Sequence, residues 1–363
     1  MYSESDLEAA VAAGALSPDA ADALRNYVSV ARATPAVDEE HFRLITGFND
    51  IFVGVAAALL LSALAWIGST IGPRIGNDGP SPFAGLFVAA AAWGLAEFFT
   101  RKRRMALPSI LLLLAFTLGV LATSAITLTL AIGEESFRDN EQLGFGVLAV
   151  SAAIAAIAAW LHWRRFQVPI TIAVGAAAVV GVVLASIGTA VGDVEELRRI
   201  LLSLSLVAGI AVFLFAMWWD SSDPRRETRR SDVAFWLHLL AAPLIVHPIF
   251  TLLGLNDGNA NLLDALVVLL VYVLLGLTAI AIDRRALLVS ALVYVLWAIS
   301  DLFERFGAVE LNLALTALVI GSALLLLSAF WHNARRMIVA PLPGGLQAKL
   351  PVLDRAPHGI TAA

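Results

Sequence analysis

Apolar residues in this chain come in unbroken runs, separated by short polar turns. The runs are about 18–24 residues long, enough to cross a hydrocarbon layer of roughly 30 Å at 1.5 Å per residue. Inside lipid every backbone N–H and C=O must be bonded within its own segment, so each run is expected to be a helix. A β-barrel would need alternating segments of about ten residues, a pattern the chain lacks. Ten spans are predicted: 51–71, 83–100, 107–132, 144–163, 168–191, 200–219, 233–253, 262–282, 286–303 and 311–331. The expected fold class is all-α, a polytopic integral membrane helical bundle.

Three regions follow from the same pattern. Residues 1–46 read as a cytoplasmic helical hairpin plus a surface segment, 47–334 as the membrane domain, and 335–363 as a disordered cytoplasmic tail rich in Pro and Gly. In the first region Gly14 stops one helix, and Ser17 caps the next with Pro18 at its first position and Asp19 in its first turn. Leu7, Val11 and Leu16 are placed to pack on Leu24, Tyr27 and Val28. Phe42, Ile45 and Phe48 share a face that suits the membrane surface.

Charge orients the spans. Every second loop is basic: Arg101–Arg104, Arg164–Arg165, Arg225–Arg230, Arg284–Arg285 and Arg335–Arg336. The alternate loops carry few basic residues and are rich in Asp, Glu, Asn and Gly. Arg and Lys in short loops are retained on the cytoplasmic side, so both termini are expected there. Trp160, Trp163, Trp218, Trp219, Trp236 and Trp331 fall at the same ends of their spans, where amphipathic rings sit among headgroups. Arg104 is followed by Pro108, and Arg165 by Pro169, at equal spacing. This suggests a two-helix unit repeated in one orientation.

Composition narrows the chemistry. Of 363 residues, 60% are hydrophobic and 15% charged, against about 45–50% and 25% in a typical soluble domain. With no cysteine, disulfides, thiolate metal sites and Cys nucleophiles are excluded. Only Lys102 and Lys349 are lysines, and the Arg and Ala bias is of the kind associated with GC-rich bacterial genomes. The acidic first forty residues contain no basic stretch leading into an apolar core, so no cleavable signal peptide is expected. Phosphate-binding loops, zinc-protease and nucleophile-elbow motifs are absent. No catalytic residue, metal ligand or cofactor is expected, and no nucleic-acid partner.

The polar residues inside the spans are the remaining candidates. The seventh span holds His238, Pro243, His247 and Pro248; the histidines lie nine residues apart, about 13 Å along an ideal helix and on opposite faces. The prolines each remove a backbone donor and are expected to kink the span. In the ninth span Tyr294, Trp297, Asp301, Glu304 and Arg305 form one stripe, with Asp301 at a depth similar to His247. An intramembrane site of His238, His247, Asp301 and Tyr294 is one expectation; a local Asp301–Arg305 pair is the plainer one. Asp50, Glu97 and His162, near the inner ends of other spans, would line a cytoplasmic vestibule if those spans adjoin. Glu97 pairing with Arg101 is the local alternative. Gly181, Ala185, Gly188 and Gly192 form a small-residue face suited to close packing on the Ala-rich fourth span.

The opening stretch from Asp6 through Gly14, Ser17 and Pro18 to Leu24 resembles the start of a family of bacterial predicted membrane proteins of unknown function. That resemblance implies an N-terminal helical hairpin before many spans and an inner-membrane location; it carries over no catalytic residue. Three classes of function stay open: transport of a small solute or ion, a membrane scaffold or sensor whose hairpin binds a cytoplasmic protein, and a membrane-embedded lipid-modifying enzyme. The lipid bilayer is the one expected partner common to all three, and no oligomeric state follows.

Overall fold

The computed structural model describes residues 7, 10–24, 48–76, 78–140, 142–191, 194–224, 226, 228–253, 262–285, 287–288, 292, 296 and 312–353. Among these residues the chain is all helix and turn, without a strand. The main unit begins with α1 (Phe48–Ser69), α2 (Pro82–Ala96, continued by a π-helical turn Glu97–Lys102) and α3 (Ala106–Ile132). Then come α4 (Gln142–Phe166), α5 (Ile170–Gly188), α6 (Val194–Ser221) and α7 (Arg229–Leu252). It closes with α8 (Leu262–Ile282), α9 (Asn312–Ala329) and α10 (Trp331–Val339).

Seven of these helices, α1 to α7, are long and apolar enough to cross a membrane, or eight if the bent pair α9–α10 is one span. Leu59, Leu60, Trp66, Val207, Leu214, Leu325 and Leu326 are exposed on their outer faces. Apolar surface of that extent is untenable in water and natural against lipid. The eighth predicted span coincides with α8. The ninth, residues 286–303, lies almost wholly outside the described residues.

Adjacent helices pair as antiparallel hairpins, α2 with α3, α4 with α5, and α6 with α7. Small residues set how closely they approach. A Cβ on Gly85 would stand 2.5 Å from the Gly119 carbonyl oxygen, and one on Gly119 would stand 2.7 Å from that of Gly85. Neither position accepts a side chain without the helices moving apart. On α5, Gly181 faces the Cβ of Ala152, while Gly188 lies against the Phe145 ring.

The first four basic turns, those between helices, each carry one non-glycine residue in the left-handed region: Arg104, Gln167, Arg226 and Asp283, with φ of 53°, 52°, 54° and 56°. Each costs about 1–2 kcal/mol relative to the right-handed region. Helix-end hydrogen bonds offset the cost. After α8, for instance, the Arg284 N–H donates to the Ala279 carbonyl at 2.8 Å, across the left-handed Asp283. The corners recur about sixty residues apart.

One expectation needs correction. Residues from 335 on were expected to be disordered, yet Trp331–Val339 is a helix set at 72° to α9, and Gly344–Gln347 forms a further turn. In α10 the buried Trp331, Arg335 and Val339 repeat at helical spacing, and Arg335 donates to the Pro351 carbonyl. Pro243 and Pro248 both lie inside one continuous helix, α7.

The second unit, residues 1–42 with 352–363, is described only in part. Gly14 takes φ +69°, and the Ser17 hydroxyl accepts the Ala20 N–H at 3.2 Å, the cap expected there. Of the expected packing partners Leu24, Tyr27 and Val28, the last two lie outside the described residues.

Candidate functional site

Carboxylates and arginines converge where α6, α7, α8 and α10 meet at the basic end. Asp220 is the penultimate residue of α6, a helix C-terminus that by itself disfavours a negative charge. Arg284, just past α8, offsets this. Its Nε donates to Asp220 Oδ2 at 3.1 Å and its Nη2 to Oδ1, a two-pronged contact, while Nη2 also reaches the Ser231 carbonyl at 3.0 Å. His238, from the interior of α7, places Nε2 3.0 Å from Asp220 Oδ2. An ionised carboxylate only accepts, so the proton lies on His238 Nε2. Nδ1 has no hydrogen-bond partner, and Phe213 packs on the ring at 5.3 Å. Asp220, His238 and Arg284 are at most 2% exposed.

A second pair continues the network. Arg226, at the left-handed corner between α6 and α7, donates to Asp283 Oδ2 at 2.9 Å. Its Nη2 donates to the Ile282 and Asp283 carbonyls at 3.1 and 2.8 Å. It thereby supplies a cation and two donors to the C-terminus of α8, where carbonyls are otherwise unsatisfied. Trp331 Nε1 donates to Asp283 Oδ1 at 2.7 Å, and the Arg285 guanidinium sits 4.9 Å from the Trp331 ring centroid. Asp223 closes the α6–α7 turn by accepting the Thr228 N–H and hydroxyl at 2.9 and 2.7 Å.

The residues singled out from sequence fall differently. His238 is in the network, but with partners not foreseen. His247 is exposed on the other face of α7, as their nine-residue spacing requires, so the two histidines share no site. Asp301 and Tyr294 lie outside the described residues. Of the vestibule residues, Asp50 is buried on α1. Glu97 accepts from Arg165 Nε and Nη2 at 2.6 and 3.0 Å and from Arg101 Nη1 at 3.3 Å. His162 is fully buried among Trp93, Phe116 and Phe166, with ring centroids 4.5–6.1 Å away, and its Nδ1 is 3.4 Å from the Thr171 hydroxyl. Glu97 is thus held by ion pairs, including the local one to Arg101, and His162 by ring packing.

No group of three or more metal-ligating side chains occurs among the described residues. Sequence reasoning missed Asp220, Asp283, Arg226 and Arg284 as a unit. The signal was available: only the last two interhelical basic turns carry aspartates beside their arginines, Asp220 and Asp223 in one and Asp283 in the other. No protein-family model, curated protein or solved structure matches this chain.

Proposed function

We propose that this chain is a bacterial inner-membrane protein of ten spans, with both termini cytoplasmic, that moves a small solute or ion and uses the buried ionic network as its cytoplasmic gate. The network carries the reading. Burying ion pairs costs several kcal/mol of desolvation per ion, so as a device for stability alone they are poor. Ionisable groups retained within membrane spans mark pathways and switches. Here Asp220–Arg284 and Arg226–Asp283 tie together separate hairpins at one end, and each pair can exchange its partner for water when the ends part. The positive bias of the basic turns supports placing that end in the cytoplasm.

The cysteine-free chain allows a direct test. Phe213→Cys places a thiol beside His238, and labelling by a membrane-impermeant maleimide is followed from each side of oriented vesicles. A gate gives slow labelling from the cytoplasmic side that accelerates when Asp220→Asn is added. Complete protection from both sides, with or without Asp220→Asn, overturns the gate. It leaves the second reading, a membrane scaffold whose N-terminal segment binds a cytoplasmic protein. The tight ring packing around His162 favours that scaffold over a lipid-modifying enzyme, which would need its histidine open to substrate.

A further inference from the structure

Within the ionic network one buried ring nitrogen is left without a bond among the described residues. His238 Nε2 lies 3.0 Å from Asp220 Oδ2, and Arg284 Nε donates to that same oxygen at 3.1 Å. His238 Nδ1 has no partner, although the residue is fully buried on α7. A neutral imidazole carries one proton, so with Nε2 protonated the bare Nδ1 is a lone pair able to take a second. A buried acceptor left unbonded costs free energy and gives no stability in return.

While the helices are joined, that second proton has nowhere to go. The Phe213 ring covers the imidazole at 5.3 Å, and no acceptor lies within reach of Nδ1. The charged groups facing His238 are Asp220 from α6, Arg284 from the segment after α8 and, farther off, Arg226 from the α6–α7 corner. On α5 there is no titratable side chain. On α7 itself Asp232 stands in the first turn and His247 on the opposite face. Tyr272 of α8 packs on the cluster that includes Ala242, one turn along α7. Asp223 and Asp283, at the same end, are engaged by Thr228 and by Arg226. An imidazolium at His238 would thus crowd the Arg284 guanidinium on one carboxylate, with its Nδ1–H donating to nothing.

We propose that His238 is the proton-binding residue of the cytoplasmic gate: when the helix ends part, Nδ1 takes a proton from cytoplasmic water, and the imidazolium holds Asp220 through Nε2 in place of Arg284. The proton is then the coupling ion of the transport reading, on which this inference rests. Only the parted state lets Nδ1–H meet water. By reciprocal linkage, a proton that binds the parted state better also favours that state. Acid opens the gate, and alkali returns Arg284 to Asp220.

The cysteine-free chain suits a distance measurement in lipid nanodiscs. Spin labels are attached at Ser222→Cys, exposed at the end of α6, and Met337→Cys, exposed on α10. Double electron–electron resonance then reports the separation of the two sides of the network. Between pH 8 and pH 5 the ratio of long to short distances is expected to rise at least tenfold, at up to about tenfold per pH unit, the slope one proton gives. His238→Gln, whose amide still donates to Asp220 but takes no proton, is expected to stay short throughout. Asp220→Asn is expected to read long at every pH. An acid response kept by His238→Gln, or a parent whose distances ignore pH, overturns the proton site. If the parent ignores pH while Asp220→Asn parts the labels, the gate stands and only the proton is lost. If Asp220→Asn leaves the labels together as well, the gate falls with it. The parent's own response decides the matter should His238→Gln fail to fold.

Discussion

Replacing Arg284 by methionine keeps the length and apolar stem of the side chain and removes its charge and donors. In the native protein that guanidinium makes two contacts to Asp220 and one to the Ser231 carbonyl, with the side chain only 3% exposed. Asp220 would then remain as a buried carboxylate with His238 as its one bonded partner. Breaking a buried pair from one side costs about 3–5 kcal/mol, whereas removing both charges is close to neutral. Arg284→Met alone is therefore expected to lower Tm on the order of 10 °C. Adding Asp220→Asn should restore at least half of the loss, a coupling of about 2 kcal/mol. Ser151→Cys supplies the reporter: the site is fully buried on α4, its hydroxyl makes no hydrogen bond, and the chain has no other thiol. Unfolding is then read as the onset of labelling by a thiol-reactive dye during heating. Strict additivity of the two substitutions would refute the coupling and, with it, the claim that these residues act as one unit.

Three further outcomes follow. Gly119→Val should destabilise the α2–α3 crossing by several kcal/mol, as overpacking against backbone does, while Gly94→Ala, which meets nothing within 4 Å, should leave Tm unchanged or slightly raised; the same thermal assay decides. Trp331→Phe keeps a ring under Arg285 but leaves Asp283 Oδ1 without its indole donor; a loss of about 1–2 kcal/mol is expected in the same assay. A cysteine at Ser136, between α3 and α4, should react with impermeant reagent only from the side opposite the basic turns, and labelling solely from the cytosol would invert the proposed topology.

Most of the helices were legible because lipid imposes a crude rule: long apolar runs, closed internally, with arginine kept on one side. The predicted edges of the third and eighth spans, 107–132 and 262–282, fall within one residue of the helices found. The ionic network was harder to see. Depth along a span can be counted from sequence, but rotation about the helix axis and the identity of the neighbour cannot. His247 was matched to Asp301 on depth alone, whereas the opposite-face arithmetic had already set His247 apart from His238. Asp220 and His238 meet because α6 and α7 pack antiparallel, bringing a helix end against a helix interior. The folded stretch after Arg335 was hidden for another reason. Its buried face includes an arginine, so the Trp331, Arg335, Val339 stripe does not read as apolar, and the surrounding Pro and Gly suggested disorder.

The closest backbone approaches of the first three helices, at Gly68, Gly85 and Gly119, lie away from the basic turns, toward the far ends of α1 and α2. The buried charges of α6 to α8 lie at the opposite end. One half of the protein is thus pinched at its rim and the other bolted at its base. A bundle fastened at such staggered points is expected to resist uniform spreading more strongly than a relative tilt of its hairpins.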